Sequence, residues 1–102
     1  MILHTVNKSV FASQTLDDCL RRVAVVDSVL LIEEGVYGAV VASPAAAAMR
    51  QLQTAGTKFF ALLADLRARG LDEAQLLAFV QTVDDHGFVA LAVSADKVHS
   101  WY

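Results

Sequence analysis

Two short apolar runs near the start of the chain decide the fold: ILHTV (residues 2–6) and SVLLI (residues 28–32). Both are rich in β-branched residues and leucine, with little strict alternation, which is typical of strands buried on both faces in parallel sheets. Between the two runs, apolar residues recur at helical spacing: Leu16, Leu20, Val23 and Ala24. Thr15 is the predicted N-cap of this helix. The stretch therefore predicts a strand-helix-strand unit with a parallel strand pair.

The rest of the chain continues the alternation of helices and strands. The next helix is predicted to be capped by Ser43, with Pro44 at its first position and Gly56 at its end. A strand over 58–63, a polar turn over 65–70, a short helix from Asp72 to Ala78 and a strand over 79–83 follow. The chain is predicted to finish with an amphipathic helix and a strand over 98–102, the helix containing Phe88, Leu91, Ala92 and Ala95. We therefore expect one three-layer α/β domain over residues 1–102, with a mostly parallel sheet of four to five strands and helices on both faces.

The composition indicates a subunit of a larger assembly. Apolar residues make up 56% of the 102 residues, whereas an ordinary soluble domain has roughly 45 to 50% even when glycine is counted. A chain of this size has much surface for its volume, so some apolar side chains must remain outside and are expected to meet a partner. The net charge of −3 argues against a nucleic-acid surface.

Other features of the sequence favour a cytoplasmic protein with no direct membrane contact. The apolar runs are too short for a membrane-spanning helix, and the first residues have neither a basic region nor a long apolar region of the kind found in signal peptides. Cys19 is the single cysteine, so no intrachain disulfide can form, and this fits a reducing compartment.

Cys19 is the first candidate for chemistry, because a cysteine thiolate is the strongest nucleophile among the side chains of this chain. With Thr15 as N-cap, Cys19 would stand near the fourth helical position, where the helix dipole still weakly favours an anion. Arg22, three residues later, would favour the Cys19 thiolate, whereas the neighbouring Asp18 would disfavour it. The alternative is a small buried side chain beside Leu16 and Leu20, since free cysteine is among the most buried residue types.

The remaining polar motifs are weaker candidates. The three histidines, His4, His86 and His99, lack the spacing of a zinc site. EEGVYG (residues 33–38) follows a strand but lacks the glycine spacing that binds phosphates, and it is better explained as a tight turn into a helix. NKS (residues 7–9) is either a solvated loop or a contact for an anion or a partner. Trp101 and Tyr102 are either part of a docked terminal strand or an interface anchor.

Several segments, taken in order, resemble the TusB/DsrH family, small subunits of cytoplasmic sulfur-relay complexes. The matching segments are LHTVNKS (3–9), LLIEEGVY (30–37), DLRARG (65–70), Val83-Asp84, Phe88-Val89, Leu91 and Trp101. DDCL (17–20) resembles the DsrH branch of sulfur oxidisers, which carries a cysteine here that typical TusB proteins lack. The chain departs from the family at Val10, usually proline, and at Glu34, usually aspartate.

This resemblance implies a subunit of a heterohexamer with two copies each of DsrE/TusD-like, DsrF/TusC-like and DsrH/TusB-like chains. The principal persulfide cysteine would belong to the DsrE/TusD-like partner. Cys19 would be an accessory sulfur carrier or a contact for a DsrC/TusE-like carrier protein, with no cofactor or metal. Three alternatives remain open: a TusB-like subunit for 2-thiolation of the tRNA wobble uridine, a purely structural subunit, and an independent flavodoxin-like module that binds a small ligand at the Gly35 turn.

Overall fold

A five-stranded parallel sheet forms the centre of the computed structural model, which describes residues 1–102. The strands are β1 (Ile2–Val6), β2 (Ser28–Leu31), β3 (Lys58–Leu62), β4 (Val80–Val83) and β5 (Lys97–Trp101). The helices are α1 (Thr15–Leu20), α2 (Ala46–Ala55), α3 (Leu63–Ala68) and α4 (Asp85–Ser94), with two 3₁₀ helices, Glu33–Ala39 and Glu73–Gln75.

The strand order is β4-β3-β2-β1-β5, and every neighbouring pair is parallel. The first four strands therefore advance in one direction across the sheet, and the chain then crosses back to place β5 beside β1. Parallel neighbours need crossover connections, and α1, α2, α3 and α4 lie in the four connections. The predicted α/β class with a parallel sheet is confirmed.

The two faces of the sheet are covered unequally. On one face, α1, α2 and α3 contribute Leu16, Met49 and Leu66 to a core of 16 buried residues. On the other face the buried core consists only of Leu3, Leu30 and Phe60, against which α4 packs Phe88, Leu91 and Ala92. The prediction of helices on both faces is confirmed, with three helices on one side and a single helix on the other.

The structure corrects two predicted helix starts. Helix α1 begins at Thr15 with Gln14 as its N-cap, and the N–H of Thr15 is bound by the Ser13 hydroxyl at 3.1 Å. Helix α2 begins at Ala46, because the Ser43 hydroxyl accepts the N–H of Ala45 at 3.2 Å and so closes a turn before the helix. Both predicted caps, Thr15 and Ser43, were therefore placed wrongly, although the predicted end of α2 at Gly56 is confirmed.

Two further segments differ from the prediction in helical type. Residues predicted as a polar turn over 65–70 include most of α3, since Leu66 is buried against the main core and holds this segment on the sheet. The predicted Asp72 capping arrangement with Gln75 is present, but it opens only one 3₁₀ turn, Glu73–Gln75. The longest helices have ten residues, and no helix has the length and apolar character needed to cross a membrane.

Candidate functional site

Cys19 lies inside the main core, on the sheet-facing side of α1. Its side chain has no exposed surface, and its neighbours in the helix, Leu16 and Leu20, are buried with it. Burial, followed by the nearby charge of Asp27, raises the pKa of the Cys19 thiol to about 12. In this conformation Cys19 is therefore a neutral thiol at physiological pH, because the thiolate form is strongly disfavoured.

The electrostatic support expected for a Cys19 thiolate is absent. Helix α1 is only six residues long and Cys19 is its fifth residue, so the sulfur lies near the end of the helix where the dipole disfavours an anion. Arg22 lies beyond the helix and is exposed. Chemistry at Cys19 would require α1 to move away from the sheet.

The acidic turn after β2 is joined to the DLRARG segment by direct contacts. The N–H of Glu33 donates to an Asp65 carboxylate oxygen at 2.6 Å, and Glu33 has a φ of 51°, in the left-handed region. Arg69 donates to the Glu34 carboxylate at 3.1 Å and to the main-chain oxygen of Asp65 at 3.1 Å. Two segments far apart in sequence thus hold one turn in place, and its negative charges are partly paired.

The same turn packs tightly against the end of β1. A Cβ atom added at Gly35 would lie 2.0 Å from the main-chain oxygen of Val6, so only glycine fits at this point. Asn7, next along the chain, has a buried side-chain oxygen with no hydrogen-bond partner, while Lys8 is exposed. The carboxyl edge of the sheet is therefore a packed junction of turns. At Gly35 the main chain is packed against Val6 and is not open to a ligand.

A buried polar network of His4, Asp27 and Trp101 was not predicted from the sequence. His4 and Asp27 are both buried, and Nε2 of His4 lies 2.9 Å from an Asp27 carboxylate oxygen. The indole N–H of Trp101 donates to Nδ1 of His4 at 3.0 Å, and the His99 ring stacks on the indole with a centroid separation of 4.7 Å. The network joins β1, the start of β2 and β5.

Asp27 is held ionised by this network. Burial works against the charged form, but hydrogen bonds from His4 and from the main-chain N–H groups of Ile2 and Ala24 outweigh it and lower the pKa of the carboxyl. A signal for the contact was present, since a histidine inside a buried strand needs a partner. Parallel pairing of Leu3 with Ser28 places Asp27 beside that strand.

The histidines do not come together as a metal site. His4 and His99 are neighbours across β1 and β5, whereas His86 lies in the first turn of α4. No group of three or more histidine, cysteine, aspartate or glutamate side chains has the arrangement that could hold a metal ion.

The sheet order, the unequal faces and the packed carboxyl edge define a small α/β domain with a five-stranded parallel sheet. The family described as DsrH like protein matches residues 8–98, and the chain belongs to this family. The family suggests a subunit of a sulfur-relay complex.

Solved structures agree on the fold. The chain is similar to the ychN protein from E. coli, with a TM-score of 0.86, 17% sequence identity and 97% of each chain covered. It is also similar to the protein of unknown function MTH1491 from Methanobacterium thermoautotrophicum, with a TM-score of 0.76, 20% identity and 96% of each chain covered. None of the curated proteins compared with the chain matches it.

Proposed function

We propose that this chain, as a single DsrH-like domain over residues 1–102, is a subunit of a cytoplasmic sulfurtransferase complex that relays persulfide sulfur between protein cysteines in sulfur oxidation. Family membership supports the sulfur-relay theme. The presence of Cys19 at the position expected for the DsrH branch supports sulfur oxidation over 2-thiolation of the tRNA wobble uridine.

The outer surface of α4 is the single observation that carries the subunit role. From Gly87 to Ser94 the helix has no charged side chain, and the side chains of Val89 and Val93, one turn apart, are 61% and 79% exposed. A helix that is apolar on all sides is normally buried on all sides. In the isolated chain α4 is covered on its sheet-facing side only, so its outer side is suited to a partner subunit.

The proposed partners are DsrE/TusD-like and DsrF/TusC-like subunits, with two copies of each of the three chains in a heterohexamer, and a DsrC/TusE-like sulfur carrier. No direct contact with nucleic acid or membrane is proposed, because the net charge is −3 and no helix could span a membrane. The principal persulfide cysteine is proposed to lie on the DsrE/TusD-like partner.

The relay chemistry requires only thiols. A thiolate attacks the outer sulfur of a persulfide, a new sulfur-sulfur bond forms at the attacking cysteine, and the old bond breaks to release the donor as a thiolate. Sulfur is thereby transferred with no change in overall oxidation level, so no metal or cofactor is proposed. In this scheme Cys19 acts as an accessory sulfur carrier or as a contact for the DsrC/TusE-like protein.

The burial of Cys19 favours a second candidate, a structural subunit with an inert cysteine. With no exposed surface and a pKa of about 12, Cys19 accepts sulfur only if α1 opens in the assembly. The two roles make different demands on the side chain. A carrier needs the sulfur atom itself, whereas a structural residue needs only the volume and apolar character of the cysteine.

Two variants distinguish these roles. Cys19→Ala removes the sulfur and keeps an apolar side chain, and Cys19→Ser keeps the shape while adding a buried hydroxyl. Each would be co-expressed with the partner subunits, loaded with persulfide sulfur, and assayed for transfer to the DsrC/TusE-like protein by mass spectrometry. The carrier role predicts normal assembly and reduced transfer for both variants. Full transfer by both variants would establish the structural role.

A further inference from the structure

The main chain of β1 shows which groups of the edge strand β5 remain free. The main-chain oxygen of Val6 accepts the N–H of Ile32 at 3.0 Å, on the β2 side of β1. Main-chain groups of successive residues in a strand point alternately to its two neighbours, so those of the odd-numbered residues of β1 point to β5. In agreement, the oxygen of Met1 accepts the N–H of Asp96, which directly precedes β5, at 2.9 Å.

The pairing of β1 with β5 then leaves two residues of β5 with free main-chain groups. Leu3 lies opposite Val98, and Thr5 lies opposite Ser100. In a parallel pair, a residue bonds to the residues before and after its partner in the register, so Leu3 and Thr5 bond to the odd-numbered residues of β5. The N–H and C=O groups of Val98 and Ser100 therefore point away from β1. Because β5 has no second neighbour in the sheet, these groups are unpaired within the chain.

The free edge of β5 lacks the protection that edge strands usually have. Lys97 is the only charged residue of the strand, and no proline interrupts it. Residues from Lys97 to Ser100 are all exposed, and the side chain of Val98 is 43% exposed. At the opposite edge only Gln81 of the four β4 residues is exposed. Charged side chains, prolines and bulges normally block sheet edges, because a free edge pairs readily with another chain. The edge suited to such pairing is therefore β5.

The strand is complementary to a second copy of itself. When two β5 strands overlap over their full length in antiparallel orientation, the two-fold axis passes beside His99, and Val98 lies opposite Ser100 of the second copy. Residues opposite each other in such a pair exchange both of their N–H···O=C bonds when these groups face each other. Every main-chain group that is free on Val98 and Ser100 is then bonded.

The same register places the charge of the strand against aromatic rings. Lys97, His99 and Trp101 lie on one face of the sheet, because side chains alternate along a strand, and the His99 ring stacks on the indole at 4.7 Å. Lys97 has no ion-pair partner within its own chain. In the antiparallel pair it stands opposite Trp101 of the second copy, where its ammonium group is attracted to the aromatic rings. A second copy therefore matches this edge in charge as well as in hydrogen bonding.

We propose that two copies of this chain associate through β5, in antiparallel orientation and centred on His99, so that their two sheets join into one continuous sheet. The contact uses the same residues on both copies, as two-fold symmetric interfaces do. It is separate from the outer surface of α4. It does not depend on the sulfur-relay role, and its failure would leave the proposed function unchanged.

Amide hydrogen exchange, followed by ¹⁵N NMR at increasing protein concentration, tests the pairing residue by residue. The Val93→Glu variant of the full chain is used, so that association through α4 does not contribute. In the monomer the amides of Val98 and Ser100 exchange freely, whereas those of His99 and Trp101 are bonded to β1. Exchange of Val98 and Ser100 should slow at least about 10-fold as the concentration rises. Sedimentation should report a dimer over the same concentration range.

Two substitutions at Ser100, made in the same background, separate the main chain from the side chain. Ser100→Pro removes the outward N–H and keeps the bonds to β1, because proline is tolerated on an edge strand where the N–H faces solvent. It should weaken the dimer at least about 10-fold. Ser100→Ala keeps the N–H and should dimerise as the parent does.

A cross-link tests the register without proline. At the two-fold axis the Cα atoms of His99 and its copy would be about 4.5 Å apart, which is within the range of a disulfide. His99→Cys should therefore form a disulfide-linked dimer on mild oxidation. Val26→Cys, at an exposed valine outside β5, is the control and should stay largely monomeric.

Four results would overturn the pairing. The first is a chain that stays monomeric at every concentration, and the second is a dimer in which the amides of Val98 and Ser100 exchange as fast as in the monomer. The third is equal dimerisation of Ser100→Pro and Ser100→Ala, together with no more cross-linking of His99→Cys than of the control. The fourth is protection of these amides only when a different subunit is added, which would assign the edge to that subunit.

Discussion

Gly35→Ala should strongly destabilise the protein, because a Cβ added here would make the shortest contact of any of the five glycines. The added Cβ would lie 2.0 Å from the main-chain oxygen of Val6 and 2.8 Å from its carbonyl carbon, whereas carbon atoms in contact are normally about 3.5 to 4.0 Å apart. Neither neighbour is a flexible side chain that could turn away. The turn or the end of β1 must therefore move.

The expected cost has two parts. Forcing an extra carbon into a packed site costs about 1 to 3 kcal/mol. Movement of Val6 also strains the hydrogen bond that its oxygen accepts from the N–H of Ile32 at 3.0 Å, which is worth about 0.5 to 1.5 kcal/mol. The free energy of unfolding should fall by about 2 to 4 kcal/mol, which for a domain of this size lowers Tm by roughly 10 to 30 °C.

Urea unfolding of the full chain, alone or with the subunits that co-purify with it, measures this change. Gly70→Ala is the matched control. Gly70 has a φ of 67° and no atom within 4 Å of an added Cβ, so the substitution costs only the left-handed backbone strain of about 1 kcal/mol. An unfolding free energy for Gly35→Ala within about 0.5 kcal/mol of the parent, or a smaller loss than for Gly70→Ala, would refute the close contact.

Three further predictions concern single side chains. The lowered pKa of Asp27 means that its contribution to stability is present above the unfolded pKa of about 3.9 and is lost as the pH falls through the folded value. Asp27→Asn should therefore flatten the acid limb of the stability curve, and an unchanged limb would contradict this. The Cys19 thiol, with a pKa of about 12, should react with iodoacetamide at pH 8 at least about 100-fold more slowly in the folded chain than in urea, and equal rates would show that it is accessible. Val93→Glu should weaken assembly with partner subunits and leave the isolated fold intact. Val26→Glu, at an exposed valine outside α4, is the control and should assemble normally. An equal loss of assembly in both variants would contradict a specific role of α4.

The sheet was predictable because its signals are local. Strands such as Ile2–Val6 and Ser28–Leu31 are buried on most or all of their length, and continuous apolar runs of this kind appear directly in the sequence. Gly56 could be predicted as a helix end because glycine readily adopts a positive φ, and in the structure its φ is 130°. The alternation of elements then limits the topology to a parallel sheet.

Features that depend on contacts between distant segments could not be predicted. The DLRARG segment reads as a polar turn, yet Leu66 packs into the core and makes it helical. Helix α1 ends at Leu20, before Val23 and Ala24 complete the apolar pattern that suggested a longer helix. In both cases tertiary packing decides between local conformations that are close in free energy.

The candidate site likewise depends on contacts between distant segments, which the sequence alone does not show. A single cysteine on a helix can be reactive or inert, and only its position against the sheet shows that Cys19 has no exposed surface here. The contacts of His4 with Asp27 and Trp101 span 23 and 97 residues of sequence. Neither partner stands out by spacing, so the network becomes visible only once the strands are placed side by side.

The central claim is that the outer surface of α4 is completed by other subunits. Native mass spectrometry of this chain, expressed alone and together with DsrE/TusD-like and DsrF/TusC-like subunits, tests it most directly. The account predicts that the chain alone is folded but self-associates into a mixture of sizes, and that a discrete complex with two copies of each chain forms when the partners are present. A monodisperse monomer that stays unchanged in the presence of both partners would contradict it.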